Sequence, residues 1–211
     1  MDYGKMLSDS FSYAKGAVWG KWVRWILLVI STIIFPLILG YMVRIYSGVK
    51  PAPDVGNWVR TFIDGLKLII IGIIYSIPVF IVALIFGVPL SVATDPAATA
   101  AGIWLLVMII VGLLVTLIST MGIIRFARKN SMGQAFAFGA ILQHIGKIGW
   151  GSYILALIIL WVVGLVFGFI AVVLALIPFI GLLILLFLYP VWIIFGARYL
   201  TLIYESAPEP A

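Results

Sequence analysis

The chain has no cysteine, one histidine and seven acidic residues among its 211. Without cysteine there are no disulfides, thiolate metal sites or thiol nucleophiles. A single histidine and so few carboxylates leave almost nothing from which to build an acid–base pair or a metal cluster. The sequence therefore predicts no catalytic residue, cofactor or metal, and a protein that is not an enzyme. Charge of both signs is also scarce: 9% of residues are charged, against 65% apolar. An average soluble domain has ~25% charged and ~45–50% apolar residues.

What is present is uninterrupted apolar sequence, with a mean hydropathy of +1.29. A bilayer core of ~30 Å takes about 20 apolar residues per helix. Cutting the chain at charge, proline and glycine clusters gives five segments: Trp22–Tyr46, Leu66–Val88, Ala98–Phe126, Trp150–Ala175 and Phe179–Tyr204. Asp95-Pro96 is placed to open the third, since Asp caps free amides and Pro is tolerated in the first turn. The last two are separated only by Leu176-Ile177-Pro178. The fold class is thus an all-α membrane protein in a single domain spanning 1–211. It has four transmembrane helices plus an N-terminal hydrophobic segment that is either re-entrant or a fifth span.

The 13 Lys and Arg set the orientation. Lys5, Lys15, Lys21 and Arg24 precede or open the first segment, Arg44, Lys50, Arg60 and Lys67 lie at or between the facing ends of the first and second, Arg125, Arg128, Lys129 and Lys147 at or between those of the third and fourth, and Arg198 is near the end of the fifth. The connections around 89–102 and 176–181 carry none. By the positive-inside rule these two face out, and the N-terminus and basic loops face the cytoplasm. A single crossing by the first segment would put one of its basic flanks outside. Phe35-Pro36 at its centre offers an alternative, because an internal proline breaks the helix into two halves, 25–34 and 36–45, that enter and leave on one side. The net charge of +6 is accordingly an orientation signal and an attraction to anionic lipid, with no case for nucleic acid.

Three stretches with helical apolar periodicity stand ahead of hydrophobic segments, and we read them as amphipathic helices lying in the headgroup plane. The first is Tyr3, Met6, Leu7, Phe11, Ala14 and Val18; the second Trp58, Val59, Phe62, Ile63 and Leu66; the third Met132, Phe138, Ile141, Leu142, Ile145 and Ile148. Trp58, Phe62, Lys67 and Lys147 are the interfacial anchors, and His144 reads as an interfacial side chain. Similar phrases then close three stretches: Gly40-Tyr41-Met42-Val43-Arg44, Gly122-Ile123-Ile124-Arg125 and Gly196-Ala197-Arg198. They suggest repeat units over 1–48, 57–129 and 131–206, each an in-plane helix, an outward segment and a return. Arg44, Arg125 and Arg198 near the span ends either snorkel to headgroups or line a vestibule. Gly164 and Gly168 form a small-xxx-small helix-packing motif.

Phe35-Pro36, Gly40-Tyr41, Pro51 to Trp58, Asp64-Gly65-Leu66-Lys67, Tyr75 and Ile77-Pro78 resemble the signature of an uncharacterised, mainly archaeal, multi-pass integral membrane family, catalogued only as domain of unknown function 4013. The resemblance is clearest over the first 80 or so residues and implies no activity. With no acid mid-span for ion coupling, the residues favour a non-enzymatic protein that acts by homo-oligomeric assembly among membrane lipids, as a passive pore or scaffold. A transporter or permease for a neutral or apolar solute is the alternative.

Overall fold

The computed structural model describes residues 1–86 and 95–209. Among these the chain is helical, in the order α1 (Tyr3–Val18), α2 (Trp22–Ile33), α3 (Phe35–Tyr46), α4 (Trp58–Phe86), α5 (Asp95–Lys129), a 3-10 turn (Met132–Phe136), α6 (Phe138–Ile148), α7 (Trp150–Ala175) and α8 (Ile180–Glu205). Four helices are long and apolar enough to cross a membrane: 58–85 of α4, 102–129 of α5, and the whole of α7 and α8. The connection before α5, with the side chain of Asp95 expected to cap it, lies outside the described residues.

The first hydrophobic segment is broken where its proline stands. Ile34, at φ −91° and ψ 83°, is outside helical geometry, and Pro36 sits in the first turn of α3, where its missing amide costs nothing. The halves run Trp22–Ile33 and Phe35–Tyr46, and each is 12 residues. At ~1.5 Å per residue neither reaches across a ~30 Å core alone. A second bend, of 103°, separates α1 from α2 at Gly20, whose φ of +72° suits glycine.

The second amphipathic stretch is no separate helix. It forms the opening turns of α4, which passes unbroken into the apolar run. Its stripe also faces the opposite way from a soluble helix. Thr61, Asp64, Gly65 and Leu68 are buried against α3, while Val59, Phe62, Ile63 and Leu66 are exposed. A face that meets lipid is satisfied by apolar residues, so the inward face is left to small and polar ones that let helices approach closely. Gly40 of α3 and Gly65 of α4 make that approach. A Cβ on Gly40 would fall on the Thr61 carbonyl, and one on Gly65 on the Pro36 carbonyl.

The core occupies one end of the molecule. It takes Leu68, Ile71 and Tyr75 from the first half of α4, Met121, Ile124 and Phe126 from the last turns of α5, Tyr153 and Ala156 from the start of α7, and Ile194 to Tyr204 from the second half of α8, packed around α3. Beyond it, the most apolar 18-residue stretches of α5 and α7 have 0% of their residues buried.

Candidate functional site: a polar knot at the helix ends

Helices α3, α5 and α8 bring their C-terminal turns together and touch one another pairwise. From outside, α4 seals α3, the 3-10 turn and α6 seal α5, and α1 seals α8. An arginine near the end of each of the three helices is hydrogen-bonded: on α3 to the loop that precedes α4, on α5 to the 3-10 turn, and on α8 to α1. Arg44 Nη1 donates to the Asp54 carbonyl at 2.7 Å, Arg125 Nε to Gln134 Oε1 at 2.8 Å, and Arg198 Nε to Asp9 Oδ1 at 2.8 Å. Tyrosine hydroxyls tie other pairs: α3 to the loop before α4, α4 to the 3-10 turn, and α7 to α5. Tyr41 donates to the Pro53 carbonyl at 2.8 Å, Tyr75 to that of Ala135, and Tyr153 to that of Leu117 at 2.7 Å.

Arg198 is the most enclosed of these, with 0% of its side chain exposed. Its guanidinium also faces Glu205 at 3.8 Å and lies 5.2 Å from the Tyr13 ring centre. Arg128 extends the network: it donates to the Tyr46 carbonyl at 2.9 Å, pairs with Glu205 at 2.5 Å and lies 4.0 Å from Glu209. Arg24 pairs with the carboxylate of Asp54, whose carbonyl accepts from Arg44. Positive charges buried where return helices end thus meet carboxylates and carbonyls of the same chain, although among the described residues Arg198 is hydrogen-bonded only through Nε and its two Nη atoms are buried without a hydrogen bond. Desolvated arginine is kept only with such partners. The arrangement holds helix ends together; it presents neither a nucleophile with its base nor, among the described residues, a group of three metal-binding side chains.

His144 lies inside this knot, 1% exposed, and not at the interface where its helix pattern suggested. Its Nε2 is 2.9 Å from the Tyr204 carbonyl, so that nitrogen carries the proton and donates it. The ring also lies against Tyr204, with centroids 4.2 Å apart. Burial pulls the pKa below the ordinary histidine range, outweighing the hydrogen bonds and Glu209, which favour the charged form. The unfolded chain therefore takes up the proton first as pH falls. Stability contributed by neutral His144 is complete above the unfolded pKa of ~6.5 and is lost as pH drops below it. The unfolding midpoint of the wild type should fall between pH 7.5 and pH 5.5 by more than that of His144→Gln; parallel curves would remove His144 as the cause.

The sequence-derived site residues are dispersed. Arg125 and Arg198 are buried within the protein, and Arg44 is half-buried. Trp58, Phe62 and Lys147 are exposed, while Lys67 ties back to buried Asp64 at 2.9 Å. A Cβ on Gly164 would lie 3.4 Å from Trp192 of α8, so that glycine serves a contact within the chain, whereas Gly168 has open space around it. The sequence carries no sign that Asp9, Asp54 and Glu205 partner the arginines, and it marks Tyr41 and Tyr75 only as parts of the family signature. Tyr153 carries no signal beyond its place near the basic end of its span.

Four long apolar helices, with their core at one end, define a membrane-embedded all-helical protein. The chain belongs to the family described as protein of unknown function DUF4013, whose model matches residues 25–176 and so extends well past the stretch in which the resemblance was clearest. No curated protein and no solved structure matches it.

Proposed function

We propose that the protein acts by assembly and not by turnover: a non-enzymatic protein of the cell membrane whose copies associate laterally, as a passive pore or as a scaffold for lipids and partner helices. The observation that carries this is the division of burial. The polar knot is closed by the chain itself, while the most apolar stretches of α5 and α7 contain no buried residue, although α5 packs on α4 and α7 on α8. Lipid tails satisfy leucine as well as another helix does, so lateral contact needs close packing at small residues. On α7, Gly168 with Leu165, Phe169 and Val172 forms such a face at helical spacing, and the three large side chains are 56%, 70% and 64% exposed. The cyclic order in which α1, α4 and α6 cover α8, α3 and α5 supports reading the chain as three repeat units, 1–48, 57–129 and 131–206.

A chain without native cysteine makes the test direct. Single cysteines at Leu165, Phe169 or Val172, oxidised in native membranes, should give disulfide-linked dimers. Cysteines at Lys5 and Lys50 should react with an impermeant maleimide only from the cytoplasmic side. Absence of any cross-link, with all three α7 thiols shown to be reactive, would count against lateral association through this face. Labelling of position 5 from outside and position 50 from inside would mean that the first segment crosses.

A further inference from the structure

A groove of about 570 Å³ separates the α1–α2 elbow from the α7–α8 pair. Its walls are apolar and largely aromatic. Phe11 and Trp19 come from the elbow, Phe167 from α7, and Trp192 and Phe195 from α8. The last three stack in sequence, with centroids 4.9 Å apart for Phe167–Trp192 and 5.6 Å for Trp192–Phe195. Gly164 leaves the room that Trp192 fills.

One charged residue, Lys15, lines this otherwise apolar trough. Its ammonium lies 5.6 Å from the centre of the Trp19 ring, and among the described residues no carboxylate pairs with it. Lys21 lines a neighbouring pocket and not this trough, but its Nζ donates to the carbonyl of Gly16, the residue after Lys15, at 2.9 Å, so its charge lies beside the trough. An apolar trough alone accepts any acyl chain. A cation against its wall selects an occupant that carries both a tail and a negative charge. A second copy of the chain fits less well, because the exposed spans α5 (102–129) and α7 contain no Asp or Glu to meet the lysines.

We propose that the groove binds one anionic phospholipid, its acyl chain along the Phe167–Trp192–Phe195 stack and its phosphate at Lys15, with Lys21 adding positive charge from beside the groove. The site is independent of lateral assembly, since a monomer would hold the lipid equally well.

The test is native mass spectrometry of the full chain, released from detergent after incubation with equal amounts of dioleoyl phosphatidylglycerol and dioleoyl phosphatidylcholine. The wild type should retain one phosphatidylglycerol in preference to phosphatidylcholine. Each lysine supplies about fivefold in attraction to an anionic lipid, so Lys15→Glu with Lys21→Glu should cut that preference by at least about thirtyfold. Both lysines are exposed, so this variant should fold as the wild type does. Val166→Trp, which fills the groove from α7, should lose the bound lipid of either kind. Equal retention of the two lipids by the wild type, or a preference untouched in the double lysine variant, would overturn the proposal. So would lipid retained by Val166→Trp. A dimer mass lost on that substitution, with no lipid bound to the wild type, would identify the groove as a contact between copies and overturn it too.

Discussion

Replacing Gly40 by valine is expected to abolish the folded protein, and Gly65→Val to do the same. At this crossing the α3 and α4 backbones touch without any intervening side chain: the added Cβ atoms would lie on the carbonyls of Thr61 and Pro36. Overpacking usually costs ~1–3 kcal/mol because side chains can rotate away. Here the obstructing atoms belong to helix backbones, so relief requires the helices to part, and the cost should exceed ~3 kcal/mol. Parting them would also loosen Tyr41, Ile45, Leu68 and Ile71, which pack around the crossing. Gly72→Val, seven residues further along α4 in open space, is the control and should shift stability by no more than ~0.5 kcal/mol. The check is the yield of monodisperse protein and its unfolding midpoint. Similar behaviour of Gly40→Val and Gly72→Val would mean that the crossing does not hold the fold.

Asp9→Leu should be the next most damaging change. Arg198 is wholly buried, and among the described residues the carboxylate hydrogen-bonded to it is that of Asp9, itself 41% exposed, with Glu205 more distant at 3.8 Å. Leaving a buried charge without its partner costs ~3–5 kcal/mol, and the residual attraction of Glu205 places this case near the lower end. The pair itself is a different matter. Buried ion pairs replaced whole by apolar residues are often neutral or stabilising. Asp9→Leu combined with Arg198→Met should therefore recover most of what Asp9→Leu loses. Recovery would show that α1 is held to α8 by packing once no charge is stranded; a double variant as unstable as the single one would show that the ion pair contributes net binding between the two helices.

The sequence was a good guide wherever hydropathy alone decides the structure. The run Trp150–Ala175 is α7 to the residue, and the interruption at Phe35-Pro36 falls within a residue of the break at Ile34. It misled where the same hydropathy has two meanings. The stripe through Trp58, Phe62 and Ile63 reads as the lipid-facing side of a separate in-plane helix; it does face outward, with Thr61, Asp64 and Gly65 turned to the protein, but it belongs to the opening turns of α4. In a lipid-facing helix the inner face is marked by small residues, and Gly40 and Gly65 were present to be read that way. The arginine phrases were recognised as recurrent, yet their partners were not, because Asp9 and Arg198 are 189 positions apart and no local pattern joins them. Helical spacing alone places His144 at the interface, while its burial depends on Tyr204 in the last turn of α8 lying against it.

The proposed role in assembly is tested most directly by the mass of the wild-type protein extracted with its native lipid into polymer discs, paired with a flux assay on the same preparation in vesicles. A chain that acts by association should appear as a discrete multiple of its 23.1 kDa, and Gly168→Leu should shift it toward the single-chain mass. Any solute passage should be non-saturable. A wild-type protein that is a single chain in those discs, and that moves a neutral solute with saturable kinetics, would contradict the assembly reading and establish a carrier in its place.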